Sequence, residues 1–120
     1  MTSLALLCSP SSPPSPASIV SPHPPSACSA AIASATGKPE SYVAVCINDG
    51  ASMIFGGSDA PLALGCVYSI GAVGMESNGA ITKAVSDLLS AYGVAADRVY
   101  VNFFDMPRAN VGWNGKTFAG

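Results

Sequence analysis

Charged side chains are scarce in this chain of 120 residues. Only 10% of the residues are Asp, Glu, Lys or Arg, whereas an average soluble domain has about 25%. The formal net charge of −2 argues against a basic surface for nucleic acid. Because 49% of the residues are hydrophobic, the chain as a whole is not a solvated disordered polymer. We therefore expect an unusually apolar surface, part of which is covered by a partner.

Long apolar runs are also lacking, since none reaches the roughly 18 residues of a membrane-spanning helix. The segment Leu4–Leu7 is too short for the apolar part of a signal peptide, and no cation precedes it. We therefore expect a cytoplasmic protein without a membrane partner. Export by a route that the sequence does not show stays open.

Metal-ligand spacing is absent as well. The chain has one histidine and four cysteines, and no two cysteines form a CxxC pair, which zinc sites usually contain. We therefore expect no metal site and no metal cofactor. The ordinary interpretation of Cys46 and Cys66 is that they are small buried hydrophobic residues in strands.

The first 37 residues contain no charged side chain, and seven of the ten prolines lie between Pro10 and Pro25. Proline removes a backbone donor and blocks helix formation. The sequence therefore predicts a Ser/Pro-rich, poorly structured head over residues 1–25, with a short strand at 3–8. A folded domain over residues 26–120 follows.

The apolar pattern of that domain predicts an α+β fold with two helices on one face of a four-stranded sheet. The predicted helices are 26–35 and 75–92, each ended by a glycine, and the predicted strands are 42–47, 52–55, 62–70 and 99–104. Three strands are apolar on both faces, but two helices cover only one face. We therefore expect the other face to be covered by further copies of the chain.

Five segments occur in an order and spacing that resemble a known family. They are ATGKPESYV at 35–43, FGGS at 55–58, SIG at 69–71, DRVYVNFFD at 97–105 and NVGWNGKTF at 110–118. Together they resemble the macrophage migration inhibitory factor family of the tautomerase superfamily, over residues 33–119. The resemblance implies a β-α-β-β-α-β subunit and a homotrimer with its sites at subunit interfaces. It also implies keto–enol tautomerase activity on phenylpyruvate-like and dopachrome-like substrates without a cofactor. Family members further act as extracellular signals that leave the cell without a signal peptide, which implies a protein receptor.

The same resemblance implies the site residues. Lys38 matches the lysine that faces the substrate carboxylate, and Ile70 matches the position whose backbone N–H binds substrate. The remaining matches come from a neighbouring subunit or from the mouth of the pocket: Asn102, Tyr100, Val111, Trp113 and Phe118. From spacing alone, Lys38 also suits a solvated helix C-terminus, and Tyr100 also suits a half-buried strand aromatic.

The catalytic base of this family is an N-terminal proline, but this sequence begins Met1-Thr2. Three interpretations stay open. Thr2 takes the catalytic position on a degenerate first strand, the first strand is missing and the head is unrelated sequence, or the chain reflects an alternative gene start. We expect a keto–enol tautomerase by ancestry with weak activity. The alternative is a catalytically weak or silent cytokine-like binding and signalling protein.

Overall fold

The fold follows from a computed structural model, which describes residues 1–9 and 24–120. Two α-helices and six strands lie in this part of the chain. In order they are β1 (Thr2–Cys8), α1 (Pro24–Thr36), β2 (Val43–Asn48), β3 (Ala63–Ser69), α2 (Met75–Ser90), β4 (Val99–Asp105), β5 (Gly112–Trp113) and β6 (Lys116–Thr117). Short 3-10 turns precede β2 and β4 and follow β4, at Glu40–Tyr42, Ala96–Arg98 and Arg108–Asn110.

The main sheet has the strand order β2-β1-β3-β4. Strand β1 runs parallel to β2 and antiparallel to β3, and β3 runs parallel to β4. Each parallel pair is joined through a helix in a β-α-β unit. This arrangement confirms the predicted α+β class with two helices and a four-stranded sheet.

Strand β1 corrects the expectation of a degenerate or missing first strand. It occupies a central position and pairs along its length with both neighbours, Thr2 lying opposite Val43 on one side and Ser69 on the other. The reason is alternation, because Thr2, Leu4, Leu6 and Cys8 are buried while the residues between them are not. The absence of proline therefore does not stop the segment from forming a strand.

The core lies between one face of the sheet and the two helices, which pack against each other. The strands and helices contribute buried side chains to one cluster, which includes Leu4, Leu6, Val67, Cys28, Ile32, Ile81, Val85 and Leu89. Gly65 in β3 also faces this layer, where an added Cβ would come within 3.0 Å of Leu6 Cδ1. Both helices therefore cover the same face of the sheet, as predicted.

The opposite face of the sheet carries exposed apolar side chains. Leu7 is 45% exposed, Leu64 40%, Tyr100 59% and Phe104 45%. Cys46 also lies exposed in β2 and Cys66 is half-buried in β3, whereas the buried thiols are those of Cys8 and Cys28. The burial expected for Cys46 is therefore absent within the single chain. We call this surface the open face.

The observed elements differ from the sequence prediction chiefly at residues 52–55 and at the ends of the helices. The expected strand at 52–55 does not form, because the chain turns back on itself through a single bridge between Phe55 and Ser58. Gly56 and Gly57 make this turn with φ values of 59° and 78°, which favour glycine over other residues.

Helix α1 begins at Pro24 and ends before Gly37, whose φ is 68°. Of the predicted head, residues 10–23 lie outside the described part of the chain, so the division at residue 25 stays a prediction.

Candidate functional site

A pocket of about 400 Å³ opens beside the start of β1. Its lining residues come from the start of β1, the end of β3, the segment after α1 and the chain after β4. They are Met1, Lys38, Pro39, Tyr42, Ile70, Arg108 and Phe118. Met1 and Ile70 meet because β1 and β3 are antiparallel neighbours. The Ile70 N–H donates to the Met1 carbonyl oxygen at 3.0 Å.

Lys38 follows the glycine that ends α1, and its side chain reaches across the end of the sheet. Its Nζ donates to the Met1 carbonyl oxygen at 3.3 Å, to Ser69 Oγ at 2.9 Å and to the Ile70 carbonyl oxygen. An ammonium group has three N–H donors, so all three are occupied within the chain. Lys38 therefore ties the first residue of the chain to the end of β3.

A buried pair of hydroxyl groups lies behind the lysine. Thr2 Oγ1 and Ser69 Oγ are 3.0 Å apart, and the Ser69 hydroxyl donates to the Gly71 carbonyl oxygen at 2.7 Å. The Ser69 hydroxyl has one proton and donates it to the Gly71 carbonyl, so the Thr2 hydroxyl must be the donor in the bond between Thr2 and Ser69. Ser69 thus accepts from both Thr2 and Lys38, and the ammonium group is held in one position.

Three basic groups line the pocket, namely the Met1 α-amine, Lys38 and Arg108. Burial, and then the positive charges of Lys38 and Arg108, lower the pKa of the Met1 α-amino group below its ordinary value of 8.0. Burial also lowers the pKa of Lys38, and the negative charge of Asp105 partly opposes this effect. The lowered pKa increases the share of the α-amine that is unprotonated at a given pH, and this unprotonated form can accept a proton.

Arg108 begins the 3-10 turn that follows β4, and it is an exposed residue of the pocket wall. Within the described residues its guanidinium donates no hydrogen bond and joins no salt bridge, unlike that of Arg98, which donates to four backbone carbonyls. The sequence prediction did not include Arg108. In the sequence, the only signal for Arg108 is that a cation lies between two apolar segments of the C-terminal tail.

Aromatic rings form one side of the pocket and continue beyond it. Tyr42 contacts Trp113 and Phe118 edge-on, at centroid distances of 5.6 and 6.3 Å, and Trp113 stacks on Phe118 at 5.9 Å. The β5–β6 hairpin holds these rings through a two-residue turn at Asn114 and Gly115, both with positive φ. A neighbouring depression of about 300 Å³ lies on the same rings.

The predicted site residues fall into four groups. Lys38, Ile70 and Phe118 line the pocket, and Trp113 adjoins it. Val111 is buried and accepts the Phe118 N–H at 3.1 Å, so it supports the hairpin.

Tyr100 and Asn102 lie instead on the open face of β4, where Tyr100 stacks on Phe55 at 4.9 Å. Thr2 is fully buried beside Ser69. In this chain Met1, not Thr2, lies at the pocket wall, and Met1, Pro39, Tyr42 and Arg108 are the lining residues that the sequence prediction missed.

Residues 1–9 and 24–120 contain neither a cluster of metal ligands nor a membrane-spanning helix. No three His, Cys, Asp or Glu side chains come together there as a metal site would require. None of the helices in the same residues has the length and apolarity to cross a bilayer.

Comparison with known proteins agrees with this architecture. The family model for macrophage migration inhibitory factor (MIF) matches residues 15–119. The chain is 48% identical over 88 residues to a macrophage migration inhibitory factor homolog of Trichuris trichiura, covering 72% of this chain and 77% of the relative. It is 46% identical over 89 residues to macrophage migration inhibitory factor of Mus musculus, covering 73% and 77%.

Solved structures extend the likeness to nearly the whole chain. The homologue from Prochlorococcus marinus superimposes with a TM-score of 0.83 at 30% identity, covering 97% of this chain and 98% of that one. The protein from Trichinella spiralis gives a TM-score of 0.79 at 33% identity, covering 96% and 98%. The fold is that of the tautomerase superfamily. Within it, the chain belongs to the macrophage migration inhibitory factor family.

Proposed function

We propose that the protein is a keto–enol tautomerase of aromatic 2-keto acids, of the phenylpyruvate tautomerase and dopachrome isomerase type. The observation that carries the proposal is the Met1 α-amino group, which lies in this pocket and whose pKa is lowered by burial and by the positive charges of Lys38 and Arg108. The aromatic wall of Tyr42 and Phe118 suits a flat aromatic substrate. No cofactor takes part in the proposed reaction.

The reaction needs one proton transfer in each direction. The neutral α-amine takes a proton from the carbon beside the keto group, and the C–H electron pair forms the new C=C bond. The carbonyl π pair moves to oxygen, and this enolate oxygen then receives a proton, which restores the neutral amine. Positive charge from Lys38 and Arg108 stabilises the negative charge that develops on the substrate.

Activity in this chain is expected to be weak. A proline nitrogen is fixed by its ring, whereas Met1 offers a primary amine whose orientation no ring fixes, so we expect it to be less well placed for proton transfer. A well-placed general base contributes roughly 10²- to 10⁴-fold to rate, so a poorly oriented one loses part of that factor. If Met1 is removed from the mature protein, the α-amine of Thr2 becomes the candidate base. Thr2 is also not a proline, so the same weak activity is expected.

Assembly belongs to the same proposal. The open face carries exposed Leu7, Leu64, Tyr100 and Phe104, a surface that further copies of the chain would cover. We propose a homotrimer with sites at the subunit interfaces, where Tyr100 and Asn102 of one subunit approach the pocket of the next. Residence in the cytoplasm, export without a signal peptide and a protein receptor are the family's properties, and they are proposed here on that ground alone.

One observation favours the alternative of a silent binding and signalling protein. All three Lys38 donors and the Ile70 N–H are already bonded within the chain. A substrate that needs those donors must displace internal partners at a cost. The fold is then retained while the catalytic use of the pocket is lost.

The deciding experiment measures phenylpyruvate enol formation by ultraviolet absorbance. The intact mass of the purified protein first establishes whether Met1 is retained. The chain is then compared with a Met1→Pro variant, made with an added initiator methionine that is removed, and with that variant carrying Lys38→Ala.

We expect a slow but measurable rate for the chain, and a gain on the order of 10²-fold for proline. The rate should fall again with Lys38→Ala, while Lys83→Ala, at an exposed ion pair on α2, should change nothing. Equal rates with and without proline would contradict the role of the terminal nitrogen. No activity in any variant would favour the binding alternative.

A further inference from the structure

The hydroxyl group of Ser69 lies where β1, β3 and the segment after α1 meet. Ser69 is 1% exposed. Its Oγ accepts from Lys38 Nζ at 2.9 Å, lies 3.0 Å from Thr2 Oγ1 and donates to the Gly71 carbonyl oxygen at 2.7 Å. A hydroxyl group has one donor and two acceptor sites, so this buried group uses its full hydrogen-bonding capacity.

These contacts belong to the interior of a single chain. Thr2 and Ser69 point to the face of the sheet that the helices cover, as Leu4 and Val67 do. Copies of the chain that cover the open face would therefore contact other side chains. None of the three contacts involves an atom of Met1, so none of them requires that Met1 is retained.

The Ser69 hydroxyl matters for the terminal amine because no proline ring fixes that amine. Thr2 anchors the start of the chain in either form of the protein, since the amine belongs to Thr2 itself or to the residue joined to it. Ser69 holds the Thr2 side chain and the Lys38 ammonium through the two lone pairs of one oxygen. One buried group therefore sets the distance between the amine and the neighbouring positive charge, and proton transfer depends on such positioning.

We propose that Ser69 is a positioning residue of the tautomerase, whose hydroxyl fixes the Lys38 ammonium and the start of β1 relative to each other. Ser69 itself touches no substrate, because it is buried and does not line the pocket. It acts through Lys38, whose positive charge helps to lower the pKa of the terminal amine. This inference rests on the proposed function for its effect on rate, but the positioning itself is measurable without substrate.

The first measurement follows the Lys38 side chain by NMR. The lysines of the chain are Lys38, Lys83 and Lys116, so isotope-labelled lysine gives one Cε signal for each of them. The signal that is missing in Lys38→Gln identifies Lys38. A fixed side chain places its two Hε protons in different surroundings and gives two proton shifts, whereas a freely rotating one gives a single averaged shift.

The variants separate the Ser69 hydroxyl from its surroundings. Ser69→Ala removes the hydroxyl and Ser69→Thr retains it. Thr2→Val combined with Ser69→Ala removes both hydroxyls, so that no buried donor is left unpaired if Ser69→Ala alone fails to fold. The matched control is Ser86→Ala, at a buried serine of α2 outside the pocket lining. Intact mass and circular dichroism establish that Met1 is processed alike in every variant and that each is folded.

We expect two Hε shifts for Lys38 in the unmodified chain, in Ser69→Thr and in Ser86→Ala, and one averaged shift wherever Ser69→Ala is present. The pKa of the terminal amine, measured from the pH dependence of its carbamylation by cyanate, should rise in Ser69→Ala, but less than in Lys38→Gln. Ser69→Ala added to Lys38→Gln should raise this pKa no further, because Ser69 acts through the lysine.

Where activity is measurable, kcat/KM for phenylpyruvate should fall roughly 10-fold in Ser69→Ala, the range for one hydrogen bond to a charged group. Ser69→Thr should restore most of this loss, and Ser86→Ala should not change kcat/KM.

Three results would overturn the inference. They are a Lys38 signal that Ser69→Ala leaves unchanged, a rise in the pKa of the amine that is as large in the Lys38→Gln background as in the unmodified chain, and an equal response to Ser86→Ala. An inactive chain in which Ser69→Ala frees Lys38 and raises the pKa of the amine would support the inference while the proposed catalysis fails.

Discussion

The Met1 α-amino group shows how much the pocket changes a single titratable group. Its pKa is lowered by burial and by the positive charges of Lys38 and Arg108. In the unfolded chain the same amine keeps its proton up to its ordinary value of 8.0. The folded protein therefore releases this proton at a lower pH than the unfolded chain does.

A pH dependence follows with a definite sign. As the pH rises from the folded pKa to 8.0, the unfolded chain holds more protons, so the amine's contribution to the free energy of unfolding increases. The phenylpyruvate rate should rise over pH 5 to 8 with a midpoint below 8.0, because the neutral amine is the base.

Lys38→Gln and Arg108→Gln should each move that midpoint upward, since each removes a neighbouring positive charge. Lys83→Gln on α2 is the matched control and should leave it in place. A midpoint that neither pocket variant moves would contradict the proposed electrostatics.

Residue roles could be predicted from the sequence only where the family resemblance supplies them. Lys38, Ile70 and Phe118 were expected in one site, and they line one pocket. Met1 and Arg108 were missed for different reasons. The family base is a proline, and the resemblance places Thr2 at its position, not Met1. The position of Arg108 matches no residue with a family role. Whether an arginine turns toward a pocket depends on the 3-10 turn after β4, which spacing alone does not reveal.

At the scale of elements, Arg98 holds the loop between β2 and β3. Its guanidinium donates to the carbonyl oxygens of Phe55, Ser58, Ala60 and Pro61 at 3.0 to 3.3 Å, and it lies 5.1 Å from the centre of the Phe55 ring. The same ring stacks on Tyr100 at the open face. The Arg98 side chain therefore stabilises both the turn at residues 55–58 and the stacked pair of Phe55 and Tyr100.

Arg98→Ala should lower the free energy of unfolding by about 2 kcal/mol, because several carbonyl groups lose a charged donor at once. Urea unfolding measures this loss, and hydrogen exchange should show faster opening around residues 55–61. Lys83→Ala, which breaks only an exposed ion pair, should cost less than about 0.5 kcal/mol. A cost for Arg98→Ala no larger than that of the control would show that the loop is held by other contacts.

The elements themselves were largely predictable, and the exceptions have physical causes. Helix α2 begins at the predicted Met75, and its regular part ends at Ser90, after which the chain turns into Gly93 with a φ of 85°. The sequence predicts β1 only as a short or degenerate strand, because its apolar run is short and the family's N-terminal proline is missing. Residues 52–55 have strand-forming side chains, but the two glycines after Phe55 return the chain before a ladder can form.

At the scale of the whole molecule, the open face is the feature that most needs a partner. Strands β1, β3 and β4 each present large apolar side chains on this face. The other face of the sheet is covered by the two helices. Composition predicted this imbalance, since a chain with so few charges cannot cover both faces with polar groups. The symmetry of the assembly does not follow from one chain.

Sedimentation velocity should give the mass of three chains for the protein, following the proposed homotrimer. Leu7→Lys places a charge on the open face near the end of the central strand β1, where Leu7 is 45% exposed in the single chain. Burying that charge between subunits is costly, so the variant should sediment as a smaller species at the same concentration. Ser90→Lys, at the exposed end of α2, is the control and should sediment like the parent. A parent protein that sediments as a stable monomer would contradict the proposed assembly.

The central claim is that the terminal amine in this pocket moves the proton, and blocking that amine tests it most directly. Cyanate near neutral pH carbamylates the neutral form of an amine, so the low-pKa α-amino group should react before ordinary lysines. Intact mass and peptide mapping then give the fraction blocked at the first residue. We predict that the rate of phenylpyruvate enol formation falls in proportion to that fraction. A fully blocked protein that keeps the rate of the untreated protein would contradict the account.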